Sequence, residues 1–213
     1  MRRLSILSAG AILAVAASGA AQATAIFTLG NNPQPNEQNI LFGSQQSGTT
    51  ITGNTNQSLT PVQFTSTQSL TTGGVGQALL EATSPATTIT GSVTFSVPGL
   101  AFLDYIFNPQ VGGPDATGGP ATITAITNDG TFNHPITLGN GNNFWTITTT
   151  AGEFLTSVTL TPAAGTTYNQ YQQPRVSGVF GVVPEPASLA LLGPALAGLG
   201  IWERRRRRAA TVS

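Results

Sequence analysis

The run Thr88-Ile-Thr-Gly-Ser-Val-Thr-Phe-Ser-Val97 decides the fold class of this chain. Its apolar side chains, Ile89, Val93, Phe95 and Val97, fall on alternate positions, and Thr or Ser stands between them. Alternate residues of a β-strand point to opposite faces, so the pattern puts apolar groups on one face and hydroxyls on the other. The run therefore predicts a β-strand with one buried face.

Shorter runs of the same kind recur through the middle of the chain. They cover residues 25–29, 40–42, 60–65, 100–107, 121–127, 144–150, 155–161 and 175–182. Turns rich in Gly and Asn separate them, and a helical stripe is suggested only at residues 75–82. This density of strands predicts an all-β fold for residues 24–183, a single antiparallel β-sandwich domain of about nine or ten strands. A β-solenoid is the alternative, but no fixed repeat period favours it.

The composition narrows the chemistry that the chain can perform. Of its 213 residues, 8 are Lys or Arg, 8 are Asp or Glu, one is His and none is Cys. Without cysteine there is no disulfide, zinc–thiolate site, iron–sulfur site or thiol nucleophile. Between residues 24 and 183 one basic residue, Arg175, stands against six acidic residues, which gives a net charge near −5. A nucleic-acid partner is therefore not expected.

The first 23 residues have the three regions of a secretory signal peptide. Met1-Arg2-Arg3 is the basic start, residues 4–17 are apolar, and Ala21-Gln22-Ala23 has the small–x–small pattern of a signal-peptidase site. We expect cleavage after Ala23, with cleavage before Ile26 as the alternative. The exported chain then begins near Thr24.

The C-terminus carries a second apolar segment. Pro184-Glu185-Pro186 precedes the apolar or small residues 187–202, and Glu203 follows them. The next residues form an arginine cluster: Arg204, Arg205, Arg206, Arg207 and Arg208. A helix over 187–202 is about 24 Å long, shorter than a hydrocarbon core of about 30 Å. The pattern predicts one marginal transmembrane helix whose arginines, with the tail 209–213, stay in the cytoplasm.

This order of motifs is similar to the PEP-CTERM sorting signal of exported bacterial proteins. The resemblance implies that an exosortase, an integral-membrane cysteine transpeptidase, recognises residues 184–208 and cleaves near Pro184, Glu185 and Pro186. It also implies transfer to the cell surface or extracellular matrix after a transient stay in the inner membrane. A plain single-span anchor is the alternative. Residues 141–160 and 173–178 resemble the closing strands of β-sandwich domains in such proteins, a resemblance that implies no activity.

The chain offers few residues for catalysis. His134 is its only imidazole, and we assign it a structural role in a loop or an edge strand. Glu81, Asp104 and Glu153 lie in or beside predicted strands, where two of them could serve glycoside hydrolysis if they met in a cleft. No catalytic motif joins these residues, so we expect no enzyme activity and no cofactor.

A calcium site is the only metal site that the residue types permit. Hard oxygen ligands occur in the predicted turns at Asp115, Asp129, Asn140, Asn142 and Asn143. The spacing of a calcium-binding loop is missing from them, and the turn at Asp129 is explained by hairpin geometry. We therefore predict no metal site, with a calcium site as the alternative.

Five Thr-x-Thr triplets and four aromatic residues are candidates for a binding surface. The triplets begin at Thr50, Thr88, Thr122, Thr146 and Thr159. Both threonines of a triplet share one face of a strand, so neighbouring triplets would form an array of hydroxyls and methyls, although ordinary solvent-facing threonine is the simpler interpretation. The aromatic candidates for glycan stacking are Tyr105, Tyr168, Tyr171 and Trp145, of which Trp145 is assigned to the core.

Together these patterns predict an exported structural or adhesive protein of the cell surface or of an exopolysaccharide matrix. Its partners during export are a signal peptidase and an exosortase, and exopolysaccharide is its expected neighbour afterwards. The alternative is a module that binds polysaccharide or ice through a β-surface rich in Thr, Asn and Gln.

Overall fold

The computed structural model describes residues 24–150 and 152–181, which form an all-β fold without a helix. Fifteen strands follow one another: β1 (Ala25–Leu29), β2 (Gln38–Phe42), β3 (Ser47–Thr55), β4 (Pro61–Thr72), β5 (Gly76–Gln77), β6 (Leu79–Ala82), β7 (Val93–Ser96), β8 (Leu100–Ala101), β9 (Asp104–Gln110), β10 (Gly119–Thr127), β11 (Thr131–Leu138), β12 (Trp145–Thr149), β13 (Leu155–Pro162), β14 (Gln170–Ser177) and β15 (Phe180–Gly181). All pairs between them are antiparallel. The predicted all-β, antiparallel class is confirmed.

Several predictions concern residues outside this range. The signal peptide 1–23, the sorting segment 184–208 and the transmembrane helix 187–202 lie outside the described residues, as do Ala21 and Ala23. Across 24–150 and 152–181 the structure contains no helix with the length and hydropathy that a membrane crossing requires.

Thirteen strands form one sheet that bends back on itself. Its main path runs β1-β12-β9-β14-β2-β3-β4-β7-β13-β10-β11. Strand β6 lies off this path and pairs with both β14 and β4, which closes the circuit β14-β2-β3-β4-β6. The core is therefore barrel-like here, while β1 and β11 end the path as edges. Strands β8 and β15 form a separate two-stranded sheet.

The core lies between strands that face one another without pairing. Phe95 on β7 stacks on Tyr105 of β9 with ring centroids 4.1 Å apart, and Phe64 on β4 meets Tyr171 of β14 at 6.1 Å. All four side chains are fully buried. Burying a large apolar side chain contributes about 1.5–3 kcal/mol. This aromatic cluster therefore fixes how one part of the sheet packs on the other.

The run that predicts the fold alternates as expected. Val93, Phe95 and Val97 are buried, and the Ser and Thr residues between them are partly exposed. The observed strand is shorter than the predicted run of residues 88–97. Strand β7 covers only Val93–Ser96, and Ile89 forms an isolated bridge with Tyr168.

The helix suggested at residues 75–82 is wrong. Strands β5 and β6 occupy this segment, and burial alternates with a period of two, because Ala78, Leu80 and Ala82 are buried while Leu79 and Glu81 are half-buried. The short apolar stretch fits both the helical period of 3.6 residues and the strand period of two. The segment is a strand because β6 pairs with β14 and β4.

Two long strands were outside the predicted runs. Strand β3 contains Gly48 and Gly53, which weaken the apolar alternation. Strand β11 contains Pro135, which argues against a central strand but is tolerated at an edge.

Candidate functional site

Asp104 is a carboxylate inside the fold. It begins β9, which is buried because β12 flanks it on one side and β14 on the other. Its side chain lies opposite Ser177 of β14, whose Oγ donates a hydrogen bond to Asp104 Oδ2. Asp104 Oδ1 is buried and has no hydrogen-bond partner among the described residues. An acidic residue within the otherwise apolar run 100–107 is the sequence signal for this site.

The environment of Asp104 favours its protonated form. Burial raises the pKa of the carboxyl from 3.8 to about 6, because the ionised form loses its hydration. The hydrogen bond from Ser177 lowers this pKa, the carboxylate of Glu37 raises it, and the positive charge of Arg175 lowers it. Desolvation dominates, so Asp104 takes up a proton near pH 6, where an exposed aspartate is still ionised.

Arg175 and Glu37 hold the loop between β1 and β2 against β14. Arg175 Nη1 donates to Glu37 Oε2 at 2.9 Å, and Nη2 donates to Asn31 Oδ1. Glu37 Oε1 accepts a hydrogen bond from the backbone N–H of Gln34 at 3.2 Å. Both charged side chains are mostly buried. The sequence gives no signal for this pair, because 138 residues separate its members.

A pocket of about 340 Å³ opens beside Asp104. The loop contributes Gln34, Pro35 and Asn36 to its wall, and β12 contributes Thr148 and Thr149. The pocket thus combines amide and hydroxyl groups with apolar surface. Its volume is near the lower end of the roughly 300–1,000 Å³ of small-molecule sites. The sequence predicts Asp104 as a candidate residue but not the loop that completes the pocket.

The structure does not bring Asp104 and Glu81 together. Each of them contacts a different residue of β14. Glu81 on β6 accepts a hydrogen bond from Gln170 Nε2 at 2.8 Å, whereas Asp104 on β9 lies opposite Ser177. Seven residues of strand separate Gln170 from Ser177, about 20 Å. Paired carboxylates of glycoside hydrolases stand about 5–9.5 Å apart. Glu153 lies in the turn before β13.

His134 joins the two edges of the sheet through its side chain. It lies on β11, and its ring stacks on Phe27 of β1 with centroids 4.9 Å apart. It also meets the edge of the Trp145 ring, on β12, at 5.3 Å. The prediction of a structural histidine on an edge strand agrees with this position.

Two of the residues considered for calcium, Asp129 and Asn143, form hydrogen bonds within the protein. Asn143 is buried, and its Nδ2 lies 2.8–3.0 Å from the carbonyl oxygens of Pro109, Gly139 and Gly141. The backbone N–H of Asp129 donates to Thr127 Oγ1 in the turn between β10 and β11. In the described part of the chain, no three His, Cys, Asp or Glu side chains are grouped as metal ligands. Asp115, Asn140 and Asn142 are exposed.

The prediction of glycan stacking is wrong for the three tyrosines. Tyr105, Tyr168 and Tyr171 are at most 1% exposed, so no ligand reaches their rings. The hydroxyls of Tyr105 and Tyr171 form a hydrogen bond of 2.8 Å. Burial raises the pKa of all three phenols above the ordinary 10.0, which keeps them neutral. Trp145 belongs to the core, as predicted.

Three of the five Thr-x-Thr triplets share one face of the sheet. Strand register aligns a row across β10, β13, β7, β4 and β3: Thr124, Thr159, Thr94, Thr65 and Thr50. A second row beside it consists of Ser157, Ser96, Gln63 and Thr52. We call these two rows the hydroxyl face. The Oγ1 atoms of Thr94 and Thr159 are 2.8 Å apart, so hydrogen bonds link the strands within it.

The other two triplets lie elsewhere. Thr146 on β12 is buried and donates to the carbonyl oxygen of Gly30 at 2.9 Å. Thr90, at the end of the triplet that begins at Thr88, donates to Gln68 Oε1. Strand pairing therefore aligns threonines from three of the five triplets, whereas the simpler interpretation from the sequence was ordinary solvent-facing threonine.

The pocket beside Asp104 and the hydroxyl face are the two candidate sites of this fold. Each is assembled by strand pairing from residues that are distant in the sequence. Comparison of the chain with protein-family models, with curated proteins and with solved structures finds no match in any of the three.

Proposed function

We propose that this chain is an exported structural or adhesive protein of the cell surface or extracellular matrix, delivered there as an exosortase substrate. The observation that carries the proposal is the order of motifs at the two ends: a signal peptide at 1–23 and a PEP-CTERM-like segment at 184–208. The strands fit between them, since β1 begins at Ala25 and β15 ends at Gly181.

Cleavage after Ala23 is the cut that suits the fold. Ala25 is buried and pairs with Thr149 of β12. Cleavage before Ile26 would remove Ala25 from β1 and break this pairing. We therefore propose a mature chain that begins at Thr24.

The sorting step acts on the motif Pro184-Glu185-Pro186. Proline disfavours a helical conformation of the residue before it, and we expect this to leave Glu185 accessible to the enzyme. The enzyme exchanges a peptide bond near this motif for a bond to an acceptor nucleophile. The segment with Arg204 to Arg208 is released and stays with the membrane.

We also propose the finer description of the fold as a β-sandwich. Strands β7 and β9 do not pair, yet Phe95 and Tyr105 stack between them. Face-to-face packing of this kind is typical of two layers about 10 Å apart. No enzymatic role is part of the proposal.

The test is the intact mass of the protein from the surface fraction of a host with the exosortase and of one without it. We expect a form that starts at Thr24 and ends near residues 184–186, and its loss without the enzyme. Changing Pro184, Glu185 and Pro186 to Ala should prevent processing, whereas T211A, beyond the arginines, should not. A form that keeps residues 204–208 and stays in the inner membrane would mean a plain anchor and would refute the sorting proposal.

A second candidate function is polysaccharide binding by the hydroxyl face. This face offers uncharged donors, acceptors and methyl groups on adjacent strands, which suits a neutral glycan chain. A sheet twists by about 20–25° per strand, so five strands rotate a row by about 80–100°. A flexible polymer can follow such a surface more easily than a planar ice lattice can. We therefore favour polysaccharide over ice as the ligand.

The hydroxyl face is tested with the double variant Thr94→Val and Thr159→Val, which keeps side-chain shape and removes two hydroxyls. The control is Thr28→Val, an exposed threonine on β1. We expect the double variant alone to lose binding on a glycan array. An assay of thermal hysteresis with the wild-type protein tests ice binding. No signal in either assay for the wild type removes this candidate.

A further inference from the structure

The pocket beside Asp104 contains a buried acceptor without a donor. Asp104 is 4% exposed, and its Oδ2 already accepts the hydrogen bond from Ser177. Its Oδ1 has no partner in the described part of the protein. A buried carboxylate oxygen without a hydrogen-bond donor destabilises the protein by several kcal/mol, and a donor that reached it would remove this cost. The site therefore lacks one hydrogen-bond donor.

Among residues 24–150 and 152–181, the one positively charged side chain near this pocket is committed elsewhere. From β14, Arg175 faces this region but forms its ion pair with Glu37 and a hydrogen bond with Asn31. The loop contributes the negative charge of Glu37, and β12 contributes the uncharged Thr148. The pair of Arg175 and Glu37 is neutral as a unit. When Asp104 is ionised, the site therefore carries one net negative charge.

The rest of the pocket suits a small cation with an apolar body. Gln34, Asn36 and Thr149, whose side chains can accept hydrogen bonds, line the pocket together with the apolar residues Pro35 and Leu103. A calcium ion takes six to eight oxygen ligands and usually several carboxylates. A single carboxylate neutralises the charge of one ammonium group. The three N–H donors of that group can bond to a carboxylate oxygen and to two further acceptors.

We propose that the pocket formed by the β1–β2 loop, β12 and β14 binds a primary ammonium group, which donates a hydrogen bond to Asp104. Because Oδ1 is closed off from solvent, binding requires the carboxylate to turn about its Cβ–Cγ bond, a torsion with broad minima, and to exchange its hydrogen bond from Ser177 for one from the ammonium group. The ammonium belongs either to an amino sugar or to a lysine side chain. This site is independent of the sorting proposal, and either can fail without the other.

The experiment titrates the purified full-length protein at pH 7 with four probes by calorimetry. Glucosamine and Nα-acetyl-lysine amide carry the ammonium group, and glucose and N-acetylglucosamine are matched neutral sugars. We expect about millimolar binding of one or both amines, as befits so small a ligand. Binding of glucosamine alone identifies an amino sugar, and binding of the lysine probe alone identifies a protein or peptide partner. Equal binding of the neutral sugars, or no binding of either amine, refutes the proposal.

Variants locate the binding. Asp104→Asn keeps the shape and removes the charge, and we expect at least about a tenfold loss of affinity for the amine. Asp115→Asn makes the same change of net charge at an exposed turn and should leave affinity unchanged. Equal affinities of the two variants would place the amine elsewhere.

A measurement on the wild type keeps the test valid if Asp104→Asn does not fold. The ammonium binds the ionised carboxylate, whose pKa of about 6 means that half the molecules must lose a proton at pH 6. We expect release of about half a proton per bound amine at pH 6, read from binding heats in two buffers. Affinity should fall by about tenfold per pH unit below this point. Binding without proton release at pH 6 refutes the role of Asp104.

Discussion

The charge of Asp104 should make the stability of this protein depend on pH in a direction opposite to that of most aspartates. Its pKa rises from 3.8 to about 6 in the fold. Below about pH 3 the carboxyl is largely protonated in both the folded and unfolded states and has no electrostatic effect on folding. Above pH 6 the folded protein must hold a buried charge. Asp104 therefore destabilises the fold progressively as the pH rises from about 4 to 6.

The size of this effect follows from the shift. About two pKa units at 1.36 kcal/mol each give ~3 kcal/mol of destabilisation above pH 6. Asp104→Asn removes it but leaves an amide N–H₂ group in place of the unpaired Oδ1, a penalty of about 1–3 kcal/mol at every pH. We expect the variant to be less stable than the wild type at pH 4 and to gain ~3 kcal/mol relative to it by pH 7.5.

Urea unfolding of the full-length protein at pH 4, 5, 6 and 7.5 measures this difference. Urea is uncharged and does not screen the charge, unlike guanidinium chloride. Asp115→Asn is the matched control, since it makes the same change of net charge at an exposed position. If Asp104→Asn and Asp115→Asn follow parallel profiles, the argument that burial controls Asp104 is refuted.

Three further predictions concern packing and the loop. Phe95→Ala should lower the free energy of unfolding by about 3–5 kcal/mol in urea titrations, because Phe95 contacts the rings of Phe64, Phe102 and Tyr105; a loss under 1 kcal/mol would contradict this packing. Asn143→Ala should lower the free energy of unfolding by about 2–3 kcal/mol in the same assay, since it removes the partner of the buried carbonyl of Pro109 and of the N–H of Gly139. Arg175→Gln should speed amide hydrogen exchange in the loop of residues 30–37, because it removes the ion pair with Glu37, and should leave β10 and β13 protected. Unchanged exchange in the loop would show that the ion pair does not hold it.

The local features of the fold could be predicted from the sequence, whereas its closure could not. Alternation around Phe95 reports the face that a strand buries, because side-chain direction is a property of the strand itself. Which strands pair is decided over long separations. The pairing of β6 with β14, for example, joins Leu80 to Tyr171 and closes the barrel-like part of the core. Nothing in either segment alone specifies that partner.

The candidate site follows the same division. Asp104 stands out in the sequence as an acidic residue in an apolar run, but its neighbours Glu37 and Arg175 come from distant segments. The tyrosine residues were candidates for a surface site but are buried. A phenol is equally suited to stacking at a surface and to burial with a bonded hydroxyl, and only the contact between Tyr105 and Tyr171 decides for burial.

The place of β14 in the sheet has a mechanical consequence. A pull on the chain beyond Gly181 acts first on the short pair of β15 with β8 and then on β14, which pairs with β9 along one side and with β6 and β2 along the other. Extension along this strand must shear the hydrogen bonds of both sides together. A pull on the N-terminus instead peels the edge strand β1 from β12 one bond at a time. A molecule tethered through its C-terminal end therefore withstands drag better than one tethered through its N-terminal end.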